Sequence, residues 1–351
     1  MKRINRNPEK FEVIDLFDAV GRKRGFTIGD ANSQQRFLKG ISESLSQNKD
    51  NPVIIHGHRI EAMFEYVMAS LGKCVLIKQE NAGEVSSSEL HVQPPDYRIV
   101  LEDGYELFVE VKNCHKTASC YRYPFRKSYI DALKRYASTF KKDLKIAVYW
   151  SRWNQWTLVS IDQVHVHKGR PSISMGEATK INEMALLGDV AVGTTPPLVL
   201  RLLADVSKPR TVDESGHVKF TIGGVEVFCK GTRIDEGAEK GLALYFILYG
   251  GWPCAEPKSK IEAGEFEAID IEVRPHESTP GQGFELLGSL SSMISRRYNQ
   301  LTVSKRGVER LSPSAEPGSL GVVIPSNYKG KQLPLWRFIL KPNENTRESQ
   351  A

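Results

Sequence analysis

Two β-rich runs, Tyr97 to Leu101 and Glu106 to Val111, are joined by Glu102-Asp103-Gly104. Asp-Gly between runs of this kind is a strong hairpin signal. A hairpin brings the start of its first strand, where Pro95-Asp96 stands, beside the end of its second, Glu110-Val111-Lys112. Side chains two apart in a strand leave the same face, so Glu110 and Lys112 point together and Asp96 can converge on them. The flanking Leu107-Phe108-Val109 marks a buried strand, and charge at the end of a buried strand needs a reason.

A hard divalent cation supplies one. Two carboxylates hold such an ion through oxygen ligands and leave positions for water. The ion polarises a phosphate and lowers the pKa of bound water. An ammonium beside it can stabilise charge developing on the phosphate oxygens. Asp96 and Glu110 are thus the candidate metal ligands, and Lys112 is the candidate catalytic amine.

The surrounding sequence predicts an α/β domain over residues 52–175. After the apolar run Val53-Ile54-Ile55, His58 to Leu71 has helical spacing at Ile60, Met63, Phe64, Val67, Met68 and Leu71, with Gly72 as its C-cap. Cys74 to Ile77 reads as a strand and Asn81 to Ser88 as a loop. Ser128 to Phe140 reads as an amphipathic helix, and Ile146 to Trp150 and Trp156 to Ile161 read as strands.

Asp96 followed by Glu110-Val111-Lys112 resembles the PD-(D/E)xK nuclease superfamily. The order of parts is similar to archaeal Holliday-junction resolvases and restriction endonucleases. The resemblance spans roughly residues 52–165 and implies a restriction-endonuclease-like core, a mixed central sheet flanked by helices. It also implies an acidic residue in the preceding helix, matching Glu61 or Glu65. Glu61 is preferred because it sits a full helix length before Gly72. The implied ligand set is Glu61, Asp96 and Glu110, with Mg²⁺ as the ion and Mn²⁺ as a substitute. The implied activity is a DNA endonuclease of phage defence, restriction, mobile-element or recombination pathways. A homodimer is expected, because cutting both strands needs two sites. The alternative is a catalytically inactive nucleic-acid-binding protein, either a resolvase-like core or a winged-helix regulator.

Basic residues follow the motif: Arg122, Arg126, Lys127 and Lys134, interleaved with Tyr121, Tyr123 and Tyr129. They fit a DNA-tracking face, since cations neutralise phosphates and tyrosine stacks on unpaired bases. They also fit an ordinary solvated helix face. Residues 1–51 read as an accessory segment, with an amphipathic run at Phe11, Val13, Ile14, Leu16 and Phe17. A basic turn from Gly21 to Gly25 and a polar stretch from Ser42 to Asn51 follow.

Residues 176–351 read as a C-terminal α+β domain for substrate selection or dimerisation. The expected elements are a short helix at Ile181 to Leu187, a hairpin over Val218 to Phe228 split at Gly223-Gly224, and a helix at Glu236 to Gly250. A strand at Phe266 to Val273, a helix at Phe284 to Tyr298 and a hairpin over Leu301 to Leu311 follow. A tail rich in Pro and Gly comes after them, and the last ten residues are polar and read as frayed. Two helices and a wing at Lys305-Arg306-Gly307 fit a winged-helix module, with Arg296 and Arg297 at the end of the recognition helix. The helix dipole favours cations there whatever the function.

Other chemistries are poorly supported. Cys114, His115, Cys120, His56, His58, His165 and His167 match no zinc spacing. Cys114 and His115 are strand neighbours facing opposite sides, so they make a poor nucleophile pair. There is no Walker A, G-x-G-x-x-G or G-x-S-x-G element, so no nucleotide cofactor is expected. The chain has 351 residues, a net charge of +6, 40% hydrophobic residues and five cysteines. That balance permits a polyanionic partner without demanding one. With an irregular odd set of cysteines, no signal peptide and no long apolar run, the expectation is a cytoplasmic protein without a membrane partner.

Overall fold

A computed structural model describes residues 1–3, 12–81, 85–88, 91–118, 120–262 and 265–342. Phe11 of the amphipathic run, residues 82–84 and 89–90, and residues 343–351 of the polar tail lie outside the described residues. The elements in chain order begin with α1 (Val13–Arg24), α2 (Ala31–Asn48), α3 (Pro52–Leu71), β1 (Cys74–Gln79), β2 (Tyr97–Leu101) and β3 (Glu106–Cys114). Then come β4 (Arg122–Pro124), α4 (Lys127–Thr139), β5 (Asp143–Trp150), β6 (Gln155–Ser160), β7 (Val166–His167), β8 (Arg170–Ser174) and α5 (Met175–Lys180). The C-terminal half holds β9 (Ala191–Thr194), β10 (Leu198–Ala204), β11 (Thr211–Val212), β12 (Val218–Lys219), β13 (Ile222–Cys229), β14 (Thr232–Arg233) and α6 (Gly237–Tyr249). It ends with β15 (Lys258–Glu262), β16 (Glu265–Val273), β17 (Glu285–Ser289), α7 (Leu290–Thr302), β18 (Val303–Ser304), β19 (Gly307–Val308) and β20 (Leu335–Phe338).

The chain is mixed α/β around a central sheet of order β1-β2-β3-β5-β6. β3 and β5 are parallel and the other pairs antiparallel. A parallel pair needs a crossover, which α4 supplies. Helices cover both faces of the sheet, so β3 is a nearly continuous apolar run. Leu107, Val109 and Val111 pack with Ile60, Phe64 and Val67 of α3. Phe108 packs with Ile130, Leu133 and Tyr136 of α4.

The hairpin forms as its turn chemistry dictates. Gly104 is left-handed, with φ 82°, and the Leu101 N–H donates to Tyr105 O across the three-residue loop. α3 starts where Asn51 caps the Val53 and Ile54 N–H groups ahead of Pro52, and it ends at left-handed Gly72. The run Val53-Ile54-Ile55 belongs to this helix.

Three expectations need correction. The basic segment at 21–25 is the end of α1, and the polar stretch at 42–51 lies largely in α2. Both belong to a helical pair whose Phe17 and Phe37 rings stand 5.2 Å apart. The Gly223-Gly224 pair does not split a hairpin; β13 runs straight through it. A Cβ on Gly223 would stand 2.8 Å from the Asp205 Cα, so this glycine, skipped where β13 shifts register against Leu203 and Ala204 of β10, serves close backbone approach. Phe284 to Ser289 is not helical: β17 precedes α7, which starts after the cap Ser289.

In the C-terminal half, α6 packs on the five-stranded sheet β14-β13-β10-β16-β15. α7 joins the core of the first sheet. Its Ile294 and Tyr298 are buried in the same cluster as Phe64 and Trp156, and the Trp156 indole N–H donates to Ser295 Oγ at 2.9 Å. Among the described residues no helix is long and apolar enough to cross a membrane.

Candidate active site

Strand register assembles the site. Tyr97 pairs with Val109, so Asp96, one step outward, stands opposite Glu110 on the same face of the sheet. Glu110 is 1% exposed and Asp96 6%. Asp96 is pinned on both oxygens: Asn81 Nδ2 donates to Oδ1 at 2.8 Å, and the Val111 N–H donates to Oδ2 at 2.7 Å. Glu110 Oε1 accepts from Lys112 Nζ, and from the Tyr129 hydroxyl in the first turn of α4 at 2.6 Å. Glu110 Oε2 is buried with no hydrogen-bond partner among the described residues.

Two carboxylates this close resist sharing negative charge. Burial first, then the Glu110 charge, push the Asp96 carboxyl up to about 8. Burial works against the Lys112 ammonium, but Glu110, Tyr129 and Asp96 more than offset it and raise its pKa. Burial and then the Glu110 charge raise Tyr129, so its hydroxyl stays a donor.

A cleft of about 850 Å³ lies at the C-terminal ends of β3 and β5, where open α/β sheets place their ligands; Lys112 lines it, whereas Asp96 and Glu110 sit buried behind its wall. Lys112 and Asn113 line it from β3, His56 and Glu61 from α3, and Asn299 from α7. Glu61 comes from the α3 side of the sheet, opposite to the face carrying Asp96 and Glu110. It adds to the negative surroundings of Asp96 and stands 3.3 Å from His58 Nδ1. Glu65 instead pairs with Arg3 at 3.0 Å.

Among the described residues no three His, Cys, Asp or Glu side chains stand together as a metal-holding group. Asp96 and Glu110 are a smaller donor set: two hard carboxylates, one with a buried oxygen that no group among the described residues satisfies. That orphan acceptor fits a hard cation whose remaining positions go to water and substrate. Cys114, His56 and His115 also line the cleft but form no such group.

The other candidate residues separate into two kinds. Arg126 and Lys127, at the start of α4, are exposed and have no ion-pair partner among the described residues. Arg122 is held by Glu177 at 2.5 Å and by Ser172, and Lys134 by Asp162 at 2.6 Å. Arg296 donates to Tyr249 O at 2.7 Å, and Arg297 to Ser319 O at 3.1 Å. Asn81 was missed in the sequence because it stands in a polar loop. Tyr129 was read as part of a DNA face, not as a donor to Glu110. Its place one turn into the helix after the motif was the available signal.

No family model matches the chain, and no curated protein matches it. Among solved structures, the chain is similar to Hjc, a Holliday junction resolvase from the archaeal hyperthermophile Archaeoglobus fulgidus. The identity is 14% and the TM-score 0.23, over 29% of this chain and 76% of that one.

Proposed function

We propose that the chain is a divalent-metal-dependent DNA endonuclease that hydrolyses phosphodiester bonds in the cytoplasm. One observation carries the reading: Asp96 and Glu110 are buried opposite one another against the Lys112 ammonium that lines the cleft, and Glu110 keeps an oxygen with no partner among the described residues. Asp96 and Glu110 would hold Mg²⁺, or Mn²⁺ in its place; Glu61, expected from the resemblance as a third ligand, does not stand with them as a group and adds only negative charge from the α3 wall. When bound, the ion polarises the phosphate and acidifies a water.

The chain's own residues do the rest. Asn81 and the Val111 N–H fix Asp96, and Tyr129 fixes one oxygen of Glu110, which leaves the other free to act. Lys112 holds a positive charge where the phosphate oxygens gather negative charge. Arg126 and Lys127, exposed and without an ion-pair partner among the described residues, would take flanking phosphates, beside Tyr121 and Tyr123 of the cleft wall. DNA reading is not assigned to α7, whose inner face is buried and whose two arginines are bonded to backbone carbonyls. In this reading residues 52–175 carry the chemistry, residues 176–351 select substrate or build a homodimer, and residues 1–51 are accessory.

A second reading is a nucleic-acid binder without catalysis. The Lys112–Glu110 ion pair favours it, since the ammonium already neutralises one ligand carboxylate.

The test is cleavage of supercoiled plasmid, linear duplex, single strands and a four-way junction, in Mg²⁺ or Mn²⁺ and in EDTA, with Lys112→Ala as control. Metal-dependent cutting that vanishes in the variant supports the nuclease. Tight DNA binding with no cutting of any substrate favours the second reading.

A further inference from the structure

The cleft holds a second charged group that this chemistry does not use. Arg59 projects from α3 into the cleft wall and is 7% exposed. Its Nη1 donates to Asn299 Oδ1 at 2.7 Å and to Thr302 Oγ1 at 3.2 Å, both neutral acceptors on α7. Its Nε is buried with no partner among the described residues. Burial lowers the guanidinium's pKa, opposed by the Tyr298 and Tyr149 hydroxyls.

A guanidinium keeps its charge in proteins, so the cleft wall carries a buried cation with no ion-pair partner among the described residues. Burying an unpaired charge is among the costliest arrangements a fold can hold, and an anion entering the cleft would relieve it. The neighbourhood suits an anion. His56, Lys112, His115 and Lys116 line the same cleft, where Glu61 is the one carboxylate among the described lining residues. Arg59 also stands apart from the metal-binding pair. Its hydrogen bonds run to α7, not to β3.

We propose that Arg59 anchors a phosphate subsite that holds a phosphate of the substrate strand other than the one over Asp96 and Glu110. Planar guanidinium groups bind phosphate oxygens through paired N–H donors, and Asn299 and Thr302 fix the plane. That the phosphate belongs to a nucleic acid rests on the proposed nuclease reading; the anion site itself does not.

The experiment uses the full chain, metal-free in EDTA. Thermal unfolding is followed in sodium phosphate and in sodium chloride of equal ionic strength, for wild type, Arg59→Met, Arg59→Lys and Lys112→Ala. Phosphate should raise the wild-type and Lys112→Ala melting temperatures above the chloride control. It should not do so for Arg59→Met, and Arg59→Lys should keep part of the response. A labelled oligonucleotide should then bind Arg59→Met about ten-fold more weakly, with the salt slope reduced by about one. Oligonucleotides with a 5′-phosphate, a 3′-phosphate or bare ends say whether the phosphate is terminal or internal. If Arg59→Met does not fold, Asn299→Ala with Thr302→Val frees the guanidinium while keeping its charge, and should weaken phosphate binding. A wild type that responds equally to phosphate and chloride, or an Arg59→Met protein that responds as wild type does, overturns the proposal. An Arg59-dependent phosphate response in a protein that cuts no DNA would leave this site standing while the nuclease reading falls.

Discussion

Glu110 in the central sheet and Glu239 in α6 are buried alike, at 1% and 5% exposure, and are built for opposite ends. Glu239 is satisfied by backbone: the Lys331 N–H donates to Oε1 at 2.8 Å, and the Gln332 and Leu333 N–H groups donate to Oε2 at 2.8 and 2.6 Å. It ties the segment before β20 to the helix, and every donor comes from the chain itself. Glu110 has one oxygen held by a lysine and a tyrosine and the other by no group among the described residues. Burial of a carboxylate therefore says little about function. The distinction lies in whether the fold completes its hydrogen bonds.

The largest effect that can break this comparison is on activity. Lys112→Ala should lower the cleavage rate by at least about 10³-fold, the scale for loss of an electrostatic catalytic group, with folding intact by circular dichroism. Stability should show the reverse pattern. Glu239→Ala leaves three backbone donors without partners and should cost on the order of 3 kcal/mol in denaturant unfolding. Glu110→Gln should cost less, about 1 to 2 kcal/mol: the Lys112 ammonium loses its counter-charge, but the amide oxygen still accepts from Lys112 and Tyr129. Equal losses at both positions would erase the distinction.

Asp189 offers an intermediate case. Burial pushes its carboxyl up to about 6, although the Ser291 N–H and hydroxyl donate to it. A folded-state pKa above the unfolded value gives a contribution fully present below about pH 4 and lost as pH rises through 6. Relative to Asp189→Asn, wild type should lose about 3 kcal/mol over that window, read from urea unfolding across pH. The smallest effect belongs to Tyr129→Phe. It removes one donor to Glu110 and should lower cleavage about ten-fold, on the scale of one hydrogen bond to a charged group. An unchanged rate would show that Tyr129 does not position the carboxylate.

The hairpin and its motif were legible because Asp103-Gly104 fixes the turn and the two-residue repeat fixes the faces. The flanking helices were legible from periodicity, and α3 also from its Gly72 stop. Register then did what spacing alone could not, placing Asp96 opposite Glu110. The C-terminal half was harder. Gly223-Gly224 looks the same in sequence whether it turns the chain or lets Asp205 approach. The run from Phe284 to Tyr298 is strand up to Ser289 and helix after it, and only tertiary pairing with β9 divides it. Arg59 had no sequence signal at all, since its environment comes from Asn299 and Thr302, 240 and 243 positions away.

The most direct test is calorimetric titration of Mn²⁺ into the wild-type, Glu110→Gln and Glu239→Gln proteins at pH 8. The prediction is binding by wild type and Glu239→Gln and none by Glu110→Gln, with native-state stabilisation of about 2.7 kcal/mol at a hundred-fold excess over Kd. Binding unaffected by Glu110→Gln, or no binding by wild type, would contradict the assignment of Asp96 and Glu110 as a cation site.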